Sequence, residues 1–215
     1  MIAIIDYEAG NVRSVQKAFE AIGADARLTD RPEEILGAEG VVLPGVGAYR
    51  DCMDSLARKS LQEIVRQAVR SGKPFLGICL GFQMLFEGSE EHAGPNGGDV
   101  PGLGLFQGKV RMLAPAGGLK VPHMGWNSLM LTDCGGRGRS PLFASLPDKA
   151  FAYFVHSFYV EAADPSVVSA RAEYGAVFDV ALWSGNVHGT QFHPEKSGDT
   201  GLMMLRNFMK VVKQA

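Results

Sequence analysis

The sequence has almost no net charge, few cysteines and no long apolar run. Lys and Arg number 21 against 23 Asp and Glu, a formal charge of −2, so there is no broad basic footprint for nucleic acid or an anionic membrane. Neither is expected as a partner. Cys52, Cys79 and Cys134 are an odd number, stand far apart and form no C-x-x-C pair, which argues against a disulfide framework or a thiolate metal site. A reducing, cytoplasmic setting fits that usage. No span approaches the roughly 20 apolar residues of a transmembrane helix. The apolar start, Met1 to Ile5, is halted by Asp6 with neither a basic leader nor a small-residue cleavage site, so it reads as a buried strand and not a signal peptide. The remainder is 46% hydrophobic and 20% charged with a mean hydropathy of +0.03, the balance of a globular chain. At 215 residues without a visible repeat or linker, one domain over 1–215 is expected.

Apolar runs alternate with helical stretches through the first half. Ile2 to Ile5, Val41 to Leu43 and Phe75 to Ile78 read as strands. Val12 to Ile22 has Val12, Val15, Phe19 and Ile22 at helical spacing, and Leu56 to Val69 carries a stripe of Leu61, Ile64, Val65 and Ala68 that Ser71 and Gly72 stop. Continuously apolar strands separated by helices imply a mostly parallel sheet covered on both faces, a three-layer α/β/α class. In the second half, Lys109 to Leu113, Phe151 to Val160, Val167 to Arg171, Ala181 to Trp183 and Val187 to Phe192 are closely spaced strand candidates with Gly or Pro between them. They read as antiparallel additions, closed by a helix from about Gly201 to Val212. Glycine, 27 of 215 residues, is concentrated in loops such as 94–104 and 135–138.

The most informative stretch is Gly77-Ile78-Cys79-Leu80-Gly81, between an apolar strand and a helical stretch from Phe82 to Phe86. Glycines on either side let a sharp turn project the cysteine, as in a nucleophile elbow. At a helix N-terminus the thiol would meet free N–H groups and the positive end of the helix dipole, which favour the attacking thiolate. The Leu80 N–H would face the developing oxyanion. Taken alone, Cys79 reads equally as a small buried hydrophobe, and a nucleophile needs a base.

Gln191-Phe192-His193-Pro194-Glu195 supplies one. On extended backbone His193 and Glu195 share a face about 7 Å apart, so the carboxylate can hold one ring nitrogen while the other takes a proton from the thiol. Two metal readings fail. No P-C-x-x-C follows to complete a zinc deaminase set, and His188 and His193, five apart, share no helix or strand face. Pro44-Gly45-Val46-Gly47 follows a strand, but Arg50 stands where a dinucleotide loop needs its third glycine. The loop either brings a second N–H to the oxyanion or is a plain tight turn. Gln83 lies one helical turn after Cys79, within reach of the pocket mouth. His156 reads as a satisfied core histidine. In Val121-Pro122-His123-Met124-Gly125-Trp126-Asn127 no helical or alternating period is evident, so Met124 and Trp126 are expected to face outward as interface anchors.

Together Pro44-Gly45-Val46-Gly47, Gly77-Ile78-Cys79-Leu80-Gly81 and His193-Pro194-Glu195 look like the class I, triad-type glutamine amidotransferases. More narrowly, Ile5 to Val15, Val121 to Asn127 and His193 to Ser197 resemble the glutaminase subunits of imidazole glycerol phosphate synthases in histidine biosynthesis. The resemblance covers the whole chain. It implies a flavodoxin-like domain with Cys79 as nucleophile, His193 as base and acid, and Glu195 as orienter. It further implies an oxyanion hole at Val46, Gly47 and Leu80, and glutamine held by Gly45, Gln83, Ser157 and Phe158. Phe158 stands where the family often has Tyr, so the contacts expected there are backbone ones. The implied partner is a (β/α)8-barrel cyclase forming a heterodimer that receives the ammonia, across a face with Asn11, Met124, Trp126 and Lys196. No metal or cofactor is implied. The competing readings are a γ-glutamyl hydrolase, another member of the triad amidotransferases, or a non-catalytic flavodoxin-like binding module.

Overall fold

The computed structural model describes residues 1–8, 12–91, 98–114 and 116–215. Its first half alternates strands and helices: β1 (Ile2–Ile5), α1 (Val12–Ala21), β2 (Ala26–Thr29), α2 (Pro32–Gly37), β3 (Gly40–Leu43), α3 (Tyr49–Arg58), α4 (Leu61–Arg70), β4 (Phe75–Ile78) and α5 (Leu80–Gln83). Then follow β5 (Phe86–Ser89), β6 (Val100–Pro101), β7 (Phe106–Met112), β8 (His123–Ser128), β9 (Met130–Leu131), β10 (Phe151–His156), β11 (Phe158–Ala162), β12 (Val168–Glu173), β13 (Val177–Ser184), β14 (Val187–Thr190) and α6 (Gly198–Gln214).

Among the described residues twelve strands form one sheet, ordered β2-β1-β3-β4-β14-β13-β11-β7-β5-β6, with β12 and β9 joined at β13. The strands from β2 to β14 pair in parallel; beyond β14 most pairings are antiparallel. β1, β3 and β4 are buried throughout, because a strand with helices on both faces has no polar side. Ile2 and Ile4 point to the layer of α1 and α6, where Val15, Phe19, Met204 and Phe208 pack. Ala3 and Ile5 point to the layer of α2, α3 and α4, with Ile35, Leu56 and Val65. Phe19 and Phe208 meet edge to face at 6.3 Å and tie α1 to α6; each fully buried ring contributes about 1.5–3 kcal/mol.

Several elements depart from the sequence reading. The stretch from Leu56 to Val69 is two helices, because Ser60 adopts a left-handed φ of 57° and turns the chain between α3 and α4. The helix after Cys79 stops at Gln83, and Phe86 opens a strand. The run from Phe151 to Val160 breaks at Ser157: among the described residues β10 pairs only with β8 in a separate two-stranded ribbon, whereas β11 returns to the main sheet. The 121–127 segment does contain regular structure, since His123–Ser128 is β8. Its period of two was obscured by Gly125 on the inner face.

Candidate active site

Three adjacent parallel strands, β3, β4 and β14, end at one edge of the sheet, where open α/β sheets place their sites. β3 runs into Pro44 to Gly47, β4 into Cys79, and β14 into Gln191 to His193. Register fixes their alignment: Thr190 lies beside Ile78, and its carbonyl accepts the Cys79 N–H at 2.7 Å.

Cys79 has φ 54° and ψ −110°, a strained backbone for any residue with a Cβ. The flanking glycines permit it. A Cβ on Gly77 would lie 2.9 Å from the Gly81 carbonyl oxygen, and one on Gly81 would collide with the carbonyl oxygen of Leu43. The elbow therefore packs backbone on backbone. Since α5 has only four residues, the dipole assistance expected for the thiol is small, and the charge beside the sulfur is supplied by His193.

His193 and Glu195 do not meet on extended strand. β14 stops at Thr190, and His193 caps a 3-10 turn, Pro194–Lys196, in which Pro194 needs no N–H partner. That turn folds Glu195 back so that its Oε1 accepts from His193 Nδ1 at 2.8 Å, with both side chains 1% exposed. Among the described residues the His193 Nε2 has no hydrogen-bond partner, and His193 lines the same cavity as Cys79. Burial opposes a charge on the imidazole, but Cys79 and Glu195 outweigh it and push the pKa up to about 10. His193 thus holds a proton opposite the sulfur at neutral pH.

The cavity has a volume of about 430 Å³ and is lined by Val46, Gly47, Leu80, Gln83, Ser157 and Phe158 among others, a size suited to a small metabolite. Gly45 lies behind it. A Cβ there would come within 2.7 Å of the Gly81 N–H nitrogen, so this glycine is needed for close approach of two loops. The Leu80 N–H, expected to face an oxyanion, donates to the Gly45 carbonyl at 3.3 Å. That bond is long and must yield before Leu80 can serve as an oxyanion donor. Tyr7 Oη donates to Pro44 O at 2.7 Å and Cys52 Sγ to Val46 O at 3.5 Å, bracing the loop from below.

Gln83 donates through Nε2 to the Phe158 carbonyl and to Gln191 Oε1, each at 2.9 Å. Its two amide hydrogens are thereby spent, so what it offers a ligand is its Oε1 acceptor. Gln191 in turn donates to Cys79 Sγ at 3.8 Å. His156 is buried and both ring nitrogens are hydrogen-bonded, Nε2 to His123 at 2.9 Å and Nδ1 to Phe158 O at 2.9 Å. Sequence reasoning missed Glu91, which lines the cavity and whose carboxylate accepts the Tyr49 N–H at 3.0 Å. It lies two residues past the end of β5, with no periodicity to single it out.

Of the residues expected at a partner face, Met124 and Trp126 are 62% and 55% exposed. They lie two apart on the outer side of β8, and Trp126 meets Tyr153 of β10 edge-on at 6.1 Å. Lys196 is exposed at the cavity rim. Asn11 lies outside the described residues.

A family model described as "Glutamine amidotransferase class-I" matches residues 3–212. The chain is 48% identical over 213 residues to "Imidazole glycerol phosphate synthase subunit HisH" of Thermosynechococcus vestitus, covering 99% of this chain and 97% of the relative. It is 49% identical to the protein of that name from Syntrophotalea carbinolica, covering 97% and 98%. Among solved structures, PurLQS from Thermotoga maritima superposes with a TM-score of 0.72 at 21% identity, covering 97% of both chains. The glutaminase domain of Trypanosoma brucei CTPS gives 0.63 at 17% identity, covering 99% and 93%; at such identities the likeness is one of fold.

Proposed function

The chain belongs to the class-I glutamine amidotransferase family, and from that premise we propose that it is the glutaminase subunit of an imidazole glycerol phosphate synthase. The observation that carries the chemistry is that Cys79 and His193 line one cavity while the buried Glu195 carboxylate holds the far side of the His193 ring.

The Cys79 sulfur attacks the side-chain carbonyl carbon of glutamine. Charge gathers on the carbonyl oxygen, beside Val46, Gly47 and Leu80, whose backbone N–H groups would stabilise it once Gly45 O releases Leu80. His193 gives its Nε2 proton to the departing nitrogen, so the C–N bond breaks as ammonia forms and a γ-glutamyl thioester remains. Water then attacks the thioester, His193 takes its proton, and glutamate leaves with the sulfur restored. Glu195 holds Nδ1–H throughout and transfers no proton itself. Gln83 Oε1 suits the substrate amide, the backbone at Ser157 and Phe158 its main-chain atoms, and the Glu91 carboxylate its ammonium group.

The narrower assignment rests on near full-length relatives named as this synthase subunit, in preference to another triad amidotransferase or a γ-glutamyl hydrolase. The partner is then a (β/α)8-barrel cyclase, bound as a heterodimer over the Met124 and Trp126 face, and the ammonia passes Lys196 on its way. The whole chain acts as one unit. Three free thiols suit a cytoplasmic setting. Incubation with glutamine, the cyclase and its phosphoribosyl-bearing substrate should give glutamate and imidazole glycerol phosphate one for one. Glutamate without that product would remove the synthase assignment, and no glutamate at all would remove the glutaminase.

A further inference from the structure

The inner face of the β8–β10 ribbon carries a chain of hydrogen bonds that the glutaminase mechanism does not use. Its directions are forced from one end. The Phe158 carbonyl can only accept, so His156 Nδ1, 2.9 Å away, carries the hydrogen. His156 Nε2 is then an acceptor, and its neighbour at 2.9 Å, His123 Nδ1, must be the donor. That leaves His123 Nε2 as an acceptor facing Asn127 Nδ2 at 3.3 Å, and the same amide nitrogen donates to Glu173 O at 2.8 Å. Burial brings the pKa of both rings down to about 4, so both are neutral at pH 7 and the tautomers are fixed by their partners. The His123 ring is also clamped in plane, stacked on Phe154 at 4.8 Å and on Tyr174 at 4.2 Å.

The far end of the chain is the glutamine pocket. Phe158 O accepts from Gln83 as well as His156, and Gln83 continues through Gln191 to the Cys79 sulfur. Both lone pairs of that carbonyl are engaged, one by the ribbon and one by the substrate-contacting glutamine. We propose that His123 is a positioning residue for the pocket: through His156 it fixes the Phe158 carbonyl, and with it Gln83, from the strand that turns Met124 and Trp126 outward. A surface strand is thus joined to the substrate wall by two rigid rings with no flexible side chain between them.

The kinetic test rests on the cavity being a glutamine site; a spectroscopic one does not. His123→Phe keeps the stacked ring and removes the donor, leaving His156 Nε2 buried and unpaired, so KM for glutamine should rise roughly tenfold, with kcat changed less. His123→Asn puts an amide N–H near the position of Nδ1–H and should hold KM within about threefold of the parent, although it loses the stacking. A parental KM in His123→Phe, or equal impairment in both variants, overturns the proposal. Independently of activity, ring ¹⁵N shifts of the parent at pH 7 should show Nδ1 as the N–H nitrogen in both His123 and His156; either ring found Nε2-protonated or charged also overturns it. Absence of glutaminase in the parent beside intact tautomers would instead count against the pocket's assignment to glutamine.

Discussion

Replacing Glu195 by Gln removes one charge from a pair of side chains that are each 1% exposed and 2.8 Å apart, while leaving shape and an amide oxygen that can still accept from Nδ1. The loss is that of a charge-assisted hydrogen bond, about 1.5–3 kcal/mol net, or roughly 10- to 150-fold in rate at 1.36 kcal/mol per tenfold. Neutralising the carboxylate of a serine triad costs about 10⁴-fold. A smaller factor is expected here because Cys79 also favours the charged imidazole. The effect belongs in kcat, since Glu195 does not line the substrate cavity. Steady-state glutamate release in the assembled complex measures it, with KM expected within about twofold. The charge also sets a pH signature. His193, raised from 6.5 to about 10, contributes stability that is complete below pH 6.5 and is lost as pH rises through about 10. The stability advantage of the parent over Glu195→Gln should therefore be full near pH 6 and close towards pH 10. A kcat equal to the parent's, or a change confined to KM, would refute Glu195 as the orienter.

Further variants separate the remaining parts. Glu91→Gln keeps an acceptor for the Tyr49 N–H but removes the negative charge of a residue that lines the cavity, so KM for glutamine should rise about tenfold with kcat nearly intact; an unchanged KM assigns the ammonium to another group. Trp126→Ala, at a side chain already 55% exposed, should weaken cyclase binding by about 2 kcal/mol or more and leave the melting temperature of the isolated chain within a few degrees; the reverse pattern would make it a core residue. Lys196→Ala should bind nearly as well yet release more glutamate than imidazole product, and a ratio near one contradicts a role for this lysine in ammonia transfer. Gly81→Ala sets a Cβ against the Leu43 carbonyl and should cost about 1–3 kcal/mol in denaturant melts.

The buried parallel strands are legible because burial on both faces leaves an uninterrupted apolar run: Phe75–Ile78 has the same bounds in the sequence pattern and in the sheet. Helices were harder to bound. Leu56 to Val69 keeps its apolar period across Ser60, and nothing in composition announces a serine with positive φ. β2 and β5 interrupt their apolar run with charged residues and β6 has two residues; what marks them is pairing with other segments, which no local pattern encodes. At the site, Cys79 was marked by its glycines and the pairing of His193 with Glu195 by their spacing, though a 3-10 turn brings those two together. The engagement of Leu80 N–H by Gly45 O, of Glu91 by the Tyr49 N–H and of His156 by His123 depends on chain crossings tens of residues apart. Sequence spacing carries no information about such crossings.

Cys79 is, of the three cysteines, the nucleophile on which the whole reaction depends. Cys52 and Cys134 are buried, and their thiols are turned towards the Val46 and Val168 carbonyls; for both, burial pushes the pKa up. The most direct test is glutamate release by Cys79→Ala in complex with the cyclase, measured beside synthesis of imidazole glycerol phosphate from added ammonia. The account predicts no glutamate above background and undiminished ammonia-dependent synthesis. Continued glutamine hydrolysis by that variant would contradict it.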